Sequence, residues 1–264
     1  MDKIKTIIGK EWAEVFKNRL VLFTVLFLPL IMLALPLGTL AAMEGMGEAA
    51  AVSEMEEIPD EILGQSCEGM SEMDCVNIYM LDLYTMMLMI LPVAIPVTIA
   101  AYSIVGEKTS RSLEPLLATP ISTTELLIGK SLAAIIPAVA ATWLAYALYL
   151  VGARMMVTDA VFRELIAPEW LLAILVVSPL LTLMSVSAAL MISSRVTDPR
   201  VAEQLSALVI LPLIMVVIGQ SVGWLLIDQQ LIVIIGVVVL LIDVLLVYFS
   251  IRLFQRETIL TRWK

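Results

Sequence analysis

Apolar residues fall along this chain in six long runs, at roughly 20–42, 79–105, 126–152, 169–193, 203–227 and 231–253. Each exceeds the ~18–20 residues needed to cross a hydrocarbon core of ~30 Å. Backbone groups unpaired in lipid cost several kcal/mol each, so every run must be helical. The pattern predicts an all-α membrane protein built as one transmembrane domain over residues 1–264. The first run reads as a span and not as a cleavable leader, because charged, helix-patterned residues precede it and it exceeds the length of a leader's apolar core. Ahead of it, "KIKTIIGKEWAEVFKN" (3–18) places Ile4, Ile7, Ile8, Trp12, Val15 and Phe16 at helical spacing. That segment is too polar to span and predicts an amphipathic helix over 1–19 on the membrane surface, anchored by Trp12 and its lysines. Residues 153–168 predict a similar short helix on the far side, with Phe162, Leu165 and Ile166 on one face.

Charge gives the runs an orientation. Only 16% of residues are charged and 61% are hydrophobic, against about a quarter charged in a soluble domain. Of the 16 basic residues, all but Arg154 and Arg163 fall on the side of the two termini. The positive-inside rule therefore predicts a plasma-membrane protein with both ends, including the tail 254–264, in the cytoplasm. The loop 43–78 is predicted to be extracellular. It carries ten carboxylates, Glu44 through Asp74, and no basic residue. It reads either as a solvated loop or as an attractor of cations. Both cysteines, Cys67 and Cys75, lie in it. An oxidising exterior favours a disulfide between them. Neighbouring methionines raise a soft-metal alternative, but their spacing shows no repeated metal motif. The chain has no histidine, which removes His-based catalysis and His-ligated metals.

One polar stretch interrupts the greasy sequence: "GEKTSRSLEPLLATPISTTELLIGKS", from Gly106 to Ser131. It ends in Gly-Lys-Ser, as a phosphate-binding loop does. Such a loop needs a second glycine five residues before the first, and small permissive residues between them. Here Thr124 stands in that place and Leu126, Leu127 and Ile128 fill the loop, so the nucleotide reading fails. Lys130 then reads as an anchor snorkelling to the inner interface. Segment 106–125 reads as a surface helix, a turn at Thr119-Pro120, and a helix start capped by Ser122 or Thr123 with Glu125 in its first turn. It offers a docking surface and nothing for catalysis.

These residues resemble the cytoplasmic loop of the ABC-2 type permeases, the membrane subunits of type V ABC exporters. The likeness rests on Glu107, Leu113-Glu114, Leu116-Leu117, Thr119-Pro120-Ile121, Glu125-Leu126 and Gly129-Lys130. The resemblance implies a permease homodimer in the lipid membrane, with a separate ATP-binding cassette subunit on each cytoplasmic face. ATP and magnesium would belong to that partner, with no cofactor bound by this chain and no nucleic acid involved. A coupling helix near 107–118 would receive its motion through Glu107, Lys108, Arg111, Leu113, Glu114 and Leu117. The path would run between protomers along spans two and five, which makes Pro92, Pro96 and Pro212 candidate hinges. The resemblance also implies short re-entrant helices between the last two spans, for which Gly219, Gln220, Ser221 and Gly223 leave little room.

Buried ionisable groups in spans are suspects for function. Asp243 lies mid-span six, as an ion or substrate contact or a structural hydrogen bond; Asp82 lies near the outer end of span two. An exporter of an unidentified substrate is the leading reading. Extrusion of sodium or another cation, and an ATP-independent channel or secondary transporter, are the alternatives. A membrane enzyme has no recognisable catalytic cluster to stand on.

Overall fold

The computed structural model describes residues 2–17, 19–46, 71–109, 121–225 and 227–253, and contains no strand among them. Among the described residues, six helical stretches are long and apolar enough to cross a membrane: Val21–Ala42, Met73–Glu107, Thr123–Arg154, Asp159–Arg195, Pro199–Ser221 and Gln229–Leu253. Each overlaps one of the six apolar runs, though the fourth begins at Asp159 and the fifth stops at Ser221. Span two starts earlier than hydropathy indicates, because Ser71 caps its helix by accepting from the Asp74 backbone N–H.

The helices are α1 (Asp2–Val15), α2 (Arg19–Met46), α3 (Glu72–Leu88), α4 (Leu91–Thr109), α5 (Thr123–Arg154), α6 (Asp159–Leu165) and α7 (Pro168–Leu172). They continue with a π turn (Ala173–Val177), α8 (Ser178–Arg195), α9 (Pro199–Ala207), a 3-10 turn (Leu208–Ile210), α10 (Leu211–Ser221) and α11 (Gln229–Leu253). Spans two and four form the centre, with α4 packed on α8, α5 and α9. Spans one, five and six lie outside them; 72% of span two's apolar window is buried inside the protein but only 11% of span five's.

Prolines explain where the helices break. A proline has no N–H for the carbonyl four residues back. Pro92 denies one to Leu88, where α3 ends, and Met89 and Ile90 bond instead to Met86 and Met87. Pro212 denies one to Leu208, whose carbonyl accepts from Leu211 in a tightened 3-10 turn. Near Pro179 the chain widens to a π turn, in which Ser178 N–H reaches Ala173. The Ile174 carbonyl, with Pro179 five residues on, accepts instead from the Ser178 hydroxyl at 2.6 Å and the Trp143 indole at 3.0 Å. Pro96 leaves the Pro92 carbonyl to the Ser185 hydroxyl of span four, 3.4 Å away. The candidate hinges Pro92, Pro96 and Pro212 thus lie at interruptions of the helical ladder in spans two and five.

On the side away from the termini one short helix departs from expectation. In α6 the buried face is Val161 and Leu165, while Ile166 is exposed. Thr158 caps this helix and also donates to Asp74 at 2.9 Å, tying it to α3. After span five the described residues form a Schellman stop and no re-entrant helix. Trp224 N–H returns to Gly219 O, Gly223 N–H returns to Gln220 O, and Gly223 takes the left-handed φ of 78° that this motif requires. Gly219 leaves room for Leu225 to fold back, since a Cβ there would meet its Cδ1 at 2.6 Å. Asp228 then starts α11 by accepting from Leu231 N–H at 2.7 Å. Cys75 is buried and disulfide-bonded; Cys67 lies outside the described residues.

Candidate functional site

The segment expected to couple to a partner is bracketed by two helix ends, Glu107 of α4 and Ser122 of α5. The second is fixed by local chemistry and the first by neighbouring spans. Ser122 and Glu125 form a reciprocal capping box, in which Glu125 N–H donates to the Ser122 hydroxyl and Ser122 N–H to the Glu125 carboxylate. Lys3 of α1 lies 3.9 Å from the same carboxylate. Near the other end, Ser193 of span four enters the ladder of α4. It accepts from Val105 N–H at 3.1 Å and donates to Ala101 O at 2.7 Å. Ala202 of span five packs against Ala101 and Val105 in the same place.

Between these ends lies a buried cluster of charge. Lys130 is 3% exposed, as are Glu11 and Glu107. The Lys130 ammonium lies 2.7 Å from Glu11 Oε1 and 3.0 Å from Glu107 Oε2, and donates to the Ser103 carbonyl at 2.9 Å. Ser103 donates its hydroxyl to Glu11 Oε2 at 2.9 Å. Lys10 reaches Glu107 Oε1 at 2.6 Å from the half-buried rim. Two ammonium groups face the carboxylates of Glu11 and Glu107, and Glu14 lies 3.7 Å from Lys10 at the rim. Burial pulls the Lys10 pKa down, but the hydrogen bond and charge of Glu107, with Glu14 and Glu11, outweigh it and leave it raised above 10.5.

The cluster is the seat of α1. Ile7, Glu11 and Val15 recur every four residues and are all buried, so the acid lies in the middle of the helix's inward stripe. Ile7 packs onto Gly129, where a Cβ would stand 2.7 Å from Ile7 Cγ2. Trp12 donates its indole N–H to the Ala133 carbonyl at 2.9 Å. That carbonyl lacks its helical donor because Pro137 stands four residues on.

This arrangement corrects the reading of Lys130 as a snorkelling anchor. Its ammonium turns inward because two carboxylates and the Ser103 carbonyl satisfy it there. Glu107 likewise directs both carboxylate oxygens at Lys10 and Lys130 and does not lie on an exposed docking surface. Lys108 lies in the last turn of α4. Its side chain, together with Arg111, Leu113, Glu114 and Leu117, lies outside what is described. Asp82 accepts from the Trp170 indole at 2.9 Å, joining spans two and four. Asp243 is 2% exposed, and neither carboxyl oxygen has a hydrogen-bond partner among the described residues. Among those residues no group of three or more metal-ligating side chains is gathered.

The sequence profile of the ABC-2 family transporter proteins matches residues 5–245, from α1 into span six. The chain belongs to the ABC-2 transporter family. Comparison with curated proteins gives no match. The match covers every part of the cluster, from Lys10 to Ala133. Members of the ABC-2 family are membrane components without an ATPase site of their own, in keeping with the failed phosphate-loop motif. In this ABC-2 protein the Gly-Lys pair is structural. Gly129 admits Ile7, and Lys130 holds Glu11 and Glu107.

Proposed function

We propose that this ABC-2 protein is the permease subunit of an ATP-binding cassette exporter, driven by ATP that a separate nucleotide-binding subunit hydrolyses. The observation that carries the reading is the lock around Lys130. The two helix ends that bracket segment 106–125 share one buried cluster with α1. A displacement of that segment acts on spans two and three together, and on spans four and five through Ser193 and Ala202. In this reading Lys108, Arg111, Leu113, Glu114 and Leu117 face the ATPase, while Glu107 fixes the end of the segment. Two permeases form a homodimer in the plasma membrane with both termini in the cytoplasm. Pro92, Pro96 and Pro212 mark the bends across which spans two and five change shape, and the substrate leaves between the protomers.

The test is purification in mild detergent from the native membrane, with identification of co-purifying proteins and their ATPase activity. A stoichiometric ATP-binding subunit is expected, and Glu114→Arg is expected to abolish its capture while the permease remains folded. Gradient-driven flux through the purified chain alone, with no such subunit, sinks the reading.

A further inference from the structure

Spans two, four, five and six enclose a hollow of about 300 Å³. Its walls are Met, Val, Trp, Ala, Leu, Pro and Ile side chains, with no charged residue among them. The Trp170 indole, the polar group among these side chains, is already bonded to Asp82. Water needs two to four polar partners to occupy a cavity, and these walls offer none. Ions and polar solutes are disfavoured for the same reason.

The hollow has a mouth. Ile234, Val238 and Ile242 line it and are also 58%, 48% and 38% exposed. They recur every four residues along α11, so one edge of that helix borders both the hollow and the surroundings of the bundle. At membrane depth those surroundings are lipid tails. Along α11 the lining runs from Leu231 to Ile242, about 16 Å at 1.5 Å per residue. That is about half of a ~30 Å hydrocarbon core, the reach of a chain in one leaflet.

We propose that this hollow binds one acyl chain of a bilayer phospholipid, drawn past the exposed edge of α11 from the leaflet away from α1. The chain lies against Met89, at the break in span two, and against Pro212, at the break in span five. It fills space between the core of the bundle and the loosely held span five. The inference rests on the membrane reading alone and is independent of any ATPase partner.

Trp170 reports on the site, because it lines the hollow yet is only 2% exposed overall. The protein is reconstituted in vesicles of phosphatidylcholine with or without bromine on one acyl chain. The emission of Trp170 is taken as wild type minus Trp170→Phe. Bromine quenches at short range, so loss of most of this emission in the brominated vesicles is expected. Ala173→Phe, which fills the hollow from span four, is expected to restore it, and Val216→Phe does the same from span five. Exposed Trp143 stays quenched in each variant and serves as the internal standard for a folded, inserted protein. Equal Trp170 emission in both vesicles overturns the proposal. So does quenching that persists undiminished in both filled variants.

Discussion

Gly129 has no side chain, and α1 depends on that. A methyl group there would lie 2.7 Å from Ile7 Cγ2 and 2.9 Å from Ile7 Cβ, and the second atom is too near the backbone to rotate away. Gly129→Ala is therefore expected to unseat α1 and lower the thermal midpoint of the detergent-purified protein. Lys130→Met leaves two buried carboxylates facing each other, and losing one partner of a buried pair costs about 3–5 kcal/mol. The same thermal measurement checks it, and little change would show that the cluster contributes nothing. Lys10 adds a pH signature. Its folded-state pKa is raised above 10.5, so the folded protein holds that proton more tightly than the unfolded chain. Its stabilisation is present in full below about 10.5 and disappears as pH rises through the folded value. Lys10→Met is expected to flatten the stability profile in that alkaline range. The sequence offered a sign of this seat that hydrophobic patterning alone does not read. Glu11 stands between Ile7 and Val15 at intervals of four, an acid on the buried stripe, yet charge assigns it to the wet face. Its partner Lys130 is 119 residues away, and no local rule joins them.

At the scale of the element, prolines act here as makers of interhelical bonds. Pro137 frees the Ala133 carbonyl for Trp12, and Pro96 frees the Pro92 carbonyl for Ser185. A double-mutant cycle tests the first. Trp12→Phe is expected to cost about 1 kcal/mol, as for a typical hydrogen bond. In Pro137→Ala, residue 137 regains its N–H and satisfies Ala133 within the helix, so the further cost of Trp12→Phe should fall toward zero. Undiminished cost would mean that Trp12 acts only by packing. The six spans were legible because length and apolarity suffice to define them, and the Ser122 cap because its spacing is local. The breaks were legible as prolines. Their resolution was not, since a 3-10 turn at Pro212 and a π turn near Pro179 depend on which donors neighbouring helices supply. The Schellman stop was likewise marked by Gly223, in a stretch read as too short for more than a rudimentary re-entrant turn. Gly223→Ala puts a Cβ at φ 78° and is expected to cost roughly 1–2 kcal/mol, read as a lower unfolding temperature.

On the scale of the molecule, burial divides the spans unevenly. Span two is mostly enclosed and span five is mostly bare, with Met215 67% exposed. In the homodimer proposed above, span five lies near the molecular axis. Met215→Cys is then expected to cross-link two chains when membranes are oxidised, with the wild-type chain as control. Absence of the dimer band would turn that helix toward lipid. The family resemblance suggests this layout from about 25 residues of loop, whereas the cluster beside the loop draws on α1, α4 and α5 at once. Such an arrangement is visible only when the chain is folded.

The seat of α1 also bears on how the protein is made. Glu11 leaves the ribosome 119 residues before Lys130, and Gly129 and Ala133 arrive with that lysine. At about 5–20 residues per second, α1 waits roughly 6–24 s for its binding surface to be synthesised. During that interval its apolar stripe needs another host, and the membrane surface is the nearest one. The helix is thus expected to rest on the membrane surface first and to take its seat only once span three is complete.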